Sequence, residues 1–272
     1  MCDFAVREQQ LRDLLKKMLT EGVCLAFSGG CDSTLLLALL SEMSAGKNFL
    51  PVMAAGPLQT PEEVARAKRL AEKFHSSLLV LSPDVLTLEG VRMNRRDRCY
   101  HCKKYFFEMI RTAARERGLK YVIDGTNADD LLTYRPGRKA LAELDVASPL
   151  AMAGLTKAQV RALTARYDEE IAYLPATPCL ATRFPYDTPL EPDSLKMTAN
   201  GERALRDILG ERFSFRVRCL GKNARLELEN THLSAELLQR LEDALKKAGF
   251  AAVSIDPEPF RSGSFDRQEK LS

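Results

Sequence analysis

The sequence predicts an α/β protein with a parallel sheet, followed by a smaller α+β domain. In the first part of the chain, short apolar runs alternate with patterns typical of amphipathic helices, and this alternation indicates βαβ units. The second part changes to the order helix, two strands, helix and strand, which is typical of a compact α+β domain.

The elements of the first part follow from these patterns in chain order. A helix is predicted over 7–19, where leucine and methionine recur at helical spacing. The predicted strands are 23–27, 49–53, 77–81 and 121–124, and the helices between them are 33–43, 62–74 and 103–117. Because parallel sheets bind ligands beyond the carboxyl ends of their strands, we expect the site near Gly29, 54–57 and 125–127.

The pattern loosens over 128–185, where one helix is clear at 156–167, begun by a threonine cap. Five prolines between positions 175 and 192 indicate a linker. We therefore predict two domains, 1–185 and 186–272. The predicted elements of the second domain are helices 192–209 and 234–248 and strands 213–219, 224–228 and 251–255.

Composition restricts the function classes. With 272 residues and 45% hydrophobic content the chain can form a packed core, and a net charge of +3 gives no strong case for a nucleic-acid partner. The longest apolar run, 35–40, is too short to span a bilayer and no secretory pattern precedes it, so we expect a cytoplasmic protein without a membrane partner. Seven cysteines favour metal or catalytic use of some thiols over a disulfide framework.

A candidate anion pocket lies at residues 27–33, Phe-Ser-Gly-Gly-Cys-Asp-Ser, between the first strand and a leucine-rich helix. The glycines let a polyphosphate approach backbone N–H groups, and the helix directs its unpaired N–H groups at the same place. Ser28 and Ser33 add hydroxyl donors, while Asp32 would hold magnesium or cap the helix. No Gly-x4-Gly-Lys-Ser/Thr run occurs, which argues against γ-phosphoryl transfer. The alternative is an ordinary strand-turn-helix junction.

The cysteines form a second candidate site. Cys99 and Cys102 lie three residues apart at the opening of a predicted helix and would share one face. This pair alone is consistent with half a zinc site or with a redox pair. Cys179 is a third candidate ligand. The alternative is that Cys179 is only a buried thiol. Zinc needs a fourth ligand and His101 would point away, whereas three thiolates suit a cubane iron-sulfur cluster with one open iron.

Together these motifs resemble the LarE family of the PP-loop ATP pyrophosphatase superfamily, ATP-dependent sulfur transferases that make the nickel-pincer cofactor of lactate racemase. The resemblance covers nearly the whole chain. Besides the loop and the cysteines, it rests on Gly125-Thr126-Asn127-Ala128-Asp129-Asp130, Tyr134-Arg135-Pro136-Gly137, Ser148-Pro149-Leu150, Gly154-Leu155-Thr156-Lys157, Cys179-Leu180-Ala181, Arg216-Val217-Arg218 and Arg261-Ser262-Gly263-Ser264.

The resemblance implies that the carboxylates of pyridinium-3,5-biscarboxylic acid mononucleotide are adenylated, with release of pyrophosphate, and then converted to thiocarboxylates. Adenylation turns a poor electrophile into a good one because AMP is a good leaving group. Some members sacrifice the cysteine at the Cys179 position, while others hold a [4Fe-4S] cluster with three cysteines. Cys99 and Cys102 indicate the second group, in which Cys179 is a ligand and survives.

The resemblance also implies residue roles. We expect catalytic roles for Cys179, Asp32 and Arg183, and cluster ligation by Cys99, Cys102 and Cys179. The residues expected to hold ATP with its Mg²⁺ are Ala26, Ser28, Gly29, Gly30, Asp32, Ser33, Met53, Gly125 and Asn127.

The arginines and two aspartates complete these expectations. Arg216 and Arg218 alternate along a strand and so share a face, where with Arg183 they would clamp a substrate phosphate. A solvated basic strand face is the alternative. Asp129 and Asp130 are equally consistent with magnesium ligation, with orienting Arg135 and with capping a helix, and Cys31 is expected to be incidental.

Competing functions remain at this point. They are tRNA 2-thiolation, sulfur transfer from a sacrificial Cys179, amide-forming adenylation, and a non-catalytic iron-sulfur or zinc module that binds nucleotide. Near-neutral charge disfavours the RNA enzyme. The expected partners are a small-molecule mononucleotide, a sulfide donor and further copies of this chain in a homo-oligomer, with the second domain serving substrate binding or oligomerisation.

Overall fold

The structure, a computed structural model, describes residues 2–44, 47–132, 137–175 and 177–260. The motif residues 134–136 and 261–264 lie outside the described residues. The chain forms two compact units, the first comprising Met1–Val85 and Cys99–Leu174 and the second Leu86–Arg98 and Pro175–Ser272. The second unit thus begins before the predicted boundary at 186 and also contains an earlier segment.

The elements of the first unit alternate as the sequence predicts. Its helices are α1 (Cys2–Leu19), α2 (Cys31–Ser44), α3 (Pro61–Lys73), α5 (Arg98–Glu116), α6 (Gly137–Glu143), α7 (Pro149–Met152), α8 (Lys157–Thr164) and α9 (Glu169–Tyr173), with α4 (Glu89–Arg92) in the second unit. Its strands are β1 (Val23–Ala26), β2 (Phe49–Ala54), β3 (Leu79–Leu81) and β4 (Tyr121–Ile123). The short helices α6, α7 and α9 lie in the part of the chain where the sequence pattern loosens.

All four strands of the first unit are parallel, in the order β3-β2-β1-β4. Strand β1 is flanked by β2 on one side and by β4 on the other, with Val23 opposite Phe49 and Tyr121. The chain therefore leaves β1 at the point where strand order changes direction, which is where open α/β sheets bind their ligands.

Both faces of this sheet are covered, which is why its strands are continuous apolar runs. Val23 and Leu25 face a core that includes the leucines of α2, whereas Cys24 faces a second core that includes Phe107 and Ile110 of α5. Helix α2 is buried from Leu35 to Leu40, so it is hydrophobic all round rather than amphipathic.

The second unit contains a three-stranded sheet and two helices. Helix α10 spans Pro192–Leu209 and α11 spans Ala235–Ala248; β5 (Phe215–Leu220) pairs antiparallel with β6 (Asn223–Leu228), which pairs parallel with β7 (Ala252–Ile255). The helices pack closely, since a Cβ on Gly201 would lie 2.9 Å from Leu245 Cδ2. These elements confirm the predicted α/β fold with a smaller α+β part.

Asn94 explains why an early segment belongs to the second unit. It is fully buried, and its side-chain amide donates to the carbonyls of Phe184 (3.1 Å) and Pro185 (2.7 Å). Its own carbonyl accepts the N–H of Asp187 (3.3 Å). The proline-rich stretch is therefore packed and hydrogen-bonded where the sequence indicates a linker, because long-range contacts of this kind leave no local pattern.

Candidate active site

The turn after β1 in the first unit is ordered by its own side chains. The N–H of Ser28 donates to Ser33 Oγ (3.3 Å), and the two hydroxyl oxygens lie 3.0 Å apart. Ser33 Oγ donates to the carbonyl of Gly30 (3.1 Å), which also accepts the N–H of Thr34 (2.9 Å), the first hydrogen bond of helix α2. The turn presents the start of a 14-residue helix, whose positive end favours an anion.

Two glycines let the backbone close on this turn. Gly29 has φ +70°, and a Cβ there would lie 3.3 Å from the Cα of Ala67 in α3, so space and conformation both favour glycine. Gly125, which follows β4, packs against the start of α2, where its Cβ would lie 3.1 Å from the backbone nitrogen of Ser33. The ends of β1 and β4 thus meet at the first turn of α2, as parallel strand order predicts.

Asp32 is held by residues from two other segments. Asn127 Nδ2 donates to Asp32 Oδ1 (3.1 Å), and Lys157 Nζ is ion-paired with Asp32 Oδ2. Asn127 is itself buried, and its side-chain oxygen accepts the N–H groups of Asp129 (3.0 Å) and Asp130 (3.2 Å). Asn127 therefore positions the Asp32 carboxylate.

Both aspartates make hydrogen bonds to nearby backbone N–H groups. Asp129 Oδ2 accepts the N–H of Lys157 (2.8 Å) and so caps helix α8, while Asp130 Oδ2 accepts the N–H of Asn127 (3.2 Å). Helix α8 also has the capping box formed by Thr156 and Gln159. Its predicted threonine start is confirmed.

Other residues at this edge have plainer surroundings. Ala26 ends β1 and is half-buried, whereas the Met53 side chain is 2% exposed and packs in the core. The expected contact of Met53 with adenosine stays a prediction. Cys31 is buried, and its sulfur lies 3.5 Å from Thr164 Oγ1. Burial raises the pKa of the Cys31 thiol.

Cys99 and Cys102 lie in the first turns of α5 and are half-buried. Helix α6 packs on this turn, since a Cβ on Gly137 would lie 3.4 Å from the carbonyl oxygen of Cys99. On the neighbouring surface, Tyr100 and Lys104 both donate to Glu143 Oε2, at 2.9 and 3.1 Å. The two thiols are thus on a supported helix face, as their spacing predicts.

In the second unit, Cys179 precedes a short 3₁₀ helix, Leu180–Arg183, and is half-buried. Arg183 is 1% exposed and binds Glu202 of α10 with two parallel hydrogen bonds, Nε to Oε1 (2.9 Å) and Nη2 to Oε2 (2.7 Å). Its Nη1 donates to the carbonyls of Pro178 and Cys179. Arg183 therefore fixes the turn that carries Cys179.

Arg216 and Arg218 share one face of β5, but both are buried, which excludes the solvated-face alternative. Arg218 Nη2 donates to the buried Glu227 Oε2 (2.7 Å), and its Nη1 donates to the carbonyl of Thr182. The Arg216 guanidinium lies 4.8 Å from the Phe260 ring centroid. Burial, with the neighbouring Arg183, lowers the pKa of Arg216 to about 10.

Comparison with known proteins identifies the family. A family model described as NAD synthase matches residues 4–98, which include the turn after β1. The chain is 33% identical to the pyridinium-3,5-bisthiocarboxylic acid mononucleotide synthase of Lactiplantibacillus plantarum, over 97% of this chain and 95% of that protein. The chain belongs to the LarE family.

Two further relatives differ in how much of the chain they match. An uncharacterised protein of Synechocystis is 32% identical over 89% of this LarE chain and 91% of its own length. The cytoplasmic tRNA 2-thiolation protein 1 of Aspergillus niger is 26% identical over 41% of this chain and 36% of that protein. Similarity to the LarE synthase therefore spans both units, whereas the tRNA protein matches a minority of the chain.

Sequence reasoning about this chain missed two side chains of the candidate site. Lys157 and Glu202 were assigned no role, although both pair with predicted site residues. The signal for Lys157 was its position directly after a helix cap in a family motif. Glu202 had no such signal, because its partner Arg183 is brought to it only by the fold.

Within 2–44, 47–132, 137–175 and 177–260, no group of three or more Cys, His, Asp and Glu side chains is arranged to hold a metal ion. The three-cysteine site stays a prediction. No helix in those ranges is both long and apolar enough to span a membrane.

Proposed function

We propose that this protein adenylates the carboxylates of pyridinium-3,5-biscarboxylic acid mononucleotide and converts them to thiocarboxylates for nickel-pincer cofactor synthesis. The observation that carries the proposal is identity of 33% over 97% of the chain to a synthase of the corresponding bisthiocarboxylic acid mononucleotide. The anion-binding turn at the start of α2 supplies the ATP site that such chemistry requires.

Adenylation needs an ATP site that exposes the α-phosphorus. A carboxylate oxygen of the substrate attacks that atom, the bond from it to the bridging oxygen of the β-phosphate breaks, and pyrophosphate leaves with the electron pair. The backbone N–H groups at the start of α2, with Ser28 and Ser33, bind the phosphates. Asp32 is the carboxylate that would hold Mg²⁺, because oxygen donors are the ligands this ion prefers. A sulfur nucleophile then displaces AMP from the acyl carbon.

Cys99, Cys102 and Cys179 are the residues we propose to hold a [4Fe-4S] cluster. Of the six cysteines whose burial the structure describes, these three are half-buried, whereas Cys24, Cys31 and Cys219 are buried. Three accessible thiolates fit a cluster with one iron open to an added sulfide. When bound, the cluster would supply that sulfide to the activated acyl group. Among this chain's own residues, Arg183 holds the backbone of Cys179, and Gly137 allows close support of the Cys99 turn.

The basic face of β5 is the proposed site for the phosphate of the mononucleotide. Arg216 and Arg218 are buried beside Arg183. Attraction between a buried guanidinium group and an anion is stronger than in water, and a phosphate accepts charge-assisted hydrogen bonds from arginine. We further propose a separate sulfide donor, cytoplasmic action and a homo-oligomer in which the second unit serves substrate binding or assembly.

One experiment tests the whole proposal. The anaerobically reconstituted protein is incubated with ATP and the pyridinium nucleotide, and pyrophosphate and thiocarboxylate are measured. Both products are expected, in parallel and dependent on the nucleotide. Pyrophosphate without thiocarboxylate would indicate a different adenylating enzyme, and metal retention without pyrophosphate would indicate a non-catalytic module. A tRNA substrate in place of the nucleotide is the control for the 2-thiolation alternative.

The fate of Cys179 separates the two sulfur sources. If Cys179 is a ligand, the intact mass of the protein is unchanged after turnover. A loss of about one hydrogen sulfide per chain, localised to Cys179, would show that this thiol is consumed.

A further inference from the structure

A lysine reaches the anion-binding turn from a distant part of the chain. Lys157 is the first residue of α8, and its Nζ is ion-paired with Asp32 Oδ2. The Lys157 side chain is 35% exposed and that of Asp32 is 22% exposed, so the pair is partly open to solvent. The turn carries no lysine of its own between Phe27 and Thr34, so Lys157 brings an ammonium group to a site built for a polyphosphate.

The backbone of Lys157 is fixed, while its side chain can move. Its N–H is bound by Asp129 Oδ2 (2.8 Å), and the capping box holds the same end of α8. At the other end, Thr164 Oγ1 donates to the carbonyls of Cys31 (3.3 Å) and Val160 (2.8 Å), which fastens α8 to the start of α2. The ammonium group therefore pivots from a stable point beside the turn, on a flexible four-carbon stem.

We propose that Lys157 is the phosphate-binding lysine of this site and that Asp32 holds it in place until magnesium and ATP bind. The inference rests on the proposed adenylation for its role in catalysis, but its binding step does not depend on the acceptor. Mg²⁺ is a doubly charged partner that prefers carboxylate oxygen, so on binding it takes the Asp32 carboxylate. The ammonium group of Lys157, displaced from Asp32, then forms a charge-assisted hydrogen bond with a phosphate oxygen of ATP.

This arrangement assigns Lys157 a share of the chemical step. As the bond between the α-phosphorus and the bridging oxygen breaks, negative charge develops on the pyrophosphate that leaves. An ammonium group already at the phosphates stabilises that charge without reorganisation of solvent. Lys157 touches the reacting group in this assignment and is a catalytic residue.

The test compares Lys157→Met and Lys157→Gln with Lys73→Met. Lys73 forms a matched ion pair in the same unit, with Asp168 at 2.8 Å, and has no assigned role in the site. Three quantities are measured: the affinity for MgATP, the affinity for Mn²⁺ without nucleotide, and the rate of exchange between ATP and pyrophosphate with the pyridinium nucleotide present. Mn²⁺ replaces Mg²⁺ because its binding is visible by electron paramagnetic resonance.

Both Lys157 variants are expected to weaken MgATP binding by about tenfold or more, the range of a charge-assisted hydrogen bond, and to slow exchange further. Mn²⁺ binding without nucleotide is expected to tighten in the same variants, because Asp32 loses its competing partner. Opposite changes for nucleotide and metal would not arise from a loss of local structure. Lys73→Met should match the wild type in all three quantities.

MgATP binding within twofold of wild type in either Lys157 variant would overturn the proposal. So would weaker Mn²⁺ binding in both, because that result assigns Lys157 a structural role. If the wild-type protein binds MgATP but shows no exchange with the pyridinium nucleotide, the proposed substrate is wrong, and the two binding measurements still decide the role of Lys157.

Discussion

Arg183 and Glu202 form two parallel hydrogen bonds, of 2.9 and 2.7 Å, with side chains that are 1% and 12% exposed. The remaining nitrogen of the same guanidinium, Nη1, donates to the carbonyls of Pro178 and Cys179. The buried pair therefore connects the core of the second unit to the turn that carries the Cys179 sulfur. Geometry of this kind fixes the position of a turn relative to a rigid helix.

Removing Glu202 should destabilise the second unit strongly. The Glu202→Ala variant leaves the Arg183 charge buried without its partner, at a cost of about 3–5 kcal/mol in the free energy of unfolding. The measurement is urea denaturation. The control is Glu89→Ala, which removes the exposed partner of Arg95 in the same unit and should cost less than about 1 kcal/mol. Equal losses in the two variants would contradict the assignment.

The same pair gives a pH dependence of defined sign. Burial acts to raise the pKa of Glu202, but the charge and hydrogen bonds of Arg183 and the N–H of Val217 outweigh it, so the pKa is lowered. A carboxyl group with a lowered folded pKa stabilises the protein above its unfolded pKa, and this stabilisation is lost as pH falls through the folded value. We expect the difference in unfolding free energy between wild type and Glu202→Ala to be constant near pH 7 and to shrink below about pH 4. A difference that grows on acidification would be the contrary result.

Gly125→Ala should impair ATP binding more than folding. Its Cβ would lie 3.1 Å from the Ser33 nitrogen and 3.2 Å from the Asp32 Cβ, so the first turn of α2 must shift by a few tenths of an ångström. We expect MgATP affinity, measured by equilibrium dialysis, to fall at least about tenfold, as for loss of a charge-assisted hydrogen bond. The control is Gly118→Ala, which has φ +65° but no atom within 4 Å of its Cβ, so it should affect stability alone.

The six cysteines whose burial the structure describes should divide into two classes of reactivity. Burial raises the pKa of Cys24 to about 12, against a slight opposing effect of Arg117, and raises the pKa of Cys31 and Cys219. Since the thiolate is the reactive form, alkylation of the metal-free protein at pH 8 should reach Cys99, Cys102 and Cys179 before the other three of these six. Peptide mass spectrometry measures the order. Anaerobic loading with iron and sulfide should protect all three of these cysteines together, and protection of only two would exclude the three-cysteine site.

Much of this protein follows from local sequence. The alternation of apolar runs and helical patterns predicted the parallel sheet, because strand and helix periodicities are set by neighbouring residues. The turn at 27–33 predicted an anion site for a similar reason: glycine, hydroxyl groups and a helix start act on one another within a few residues. The threonine cap of α8 was likewise readable from a few adjacent positions.

Tertiary structure alone decided which distant side chains meet. Asp32 and Lys157 are 125 positions apart, and Asn94 and Phe184 are 90 apart, so neither contact leaves a local pattern. The fold also decided that Arg216 and Arg218 are buried, where their alternation along a strand left a solvated face as the alternative. Local periodicity determines on which face of a helix or strand a side chain lies. Which side chain it contacts there depends on how the whole chain packs.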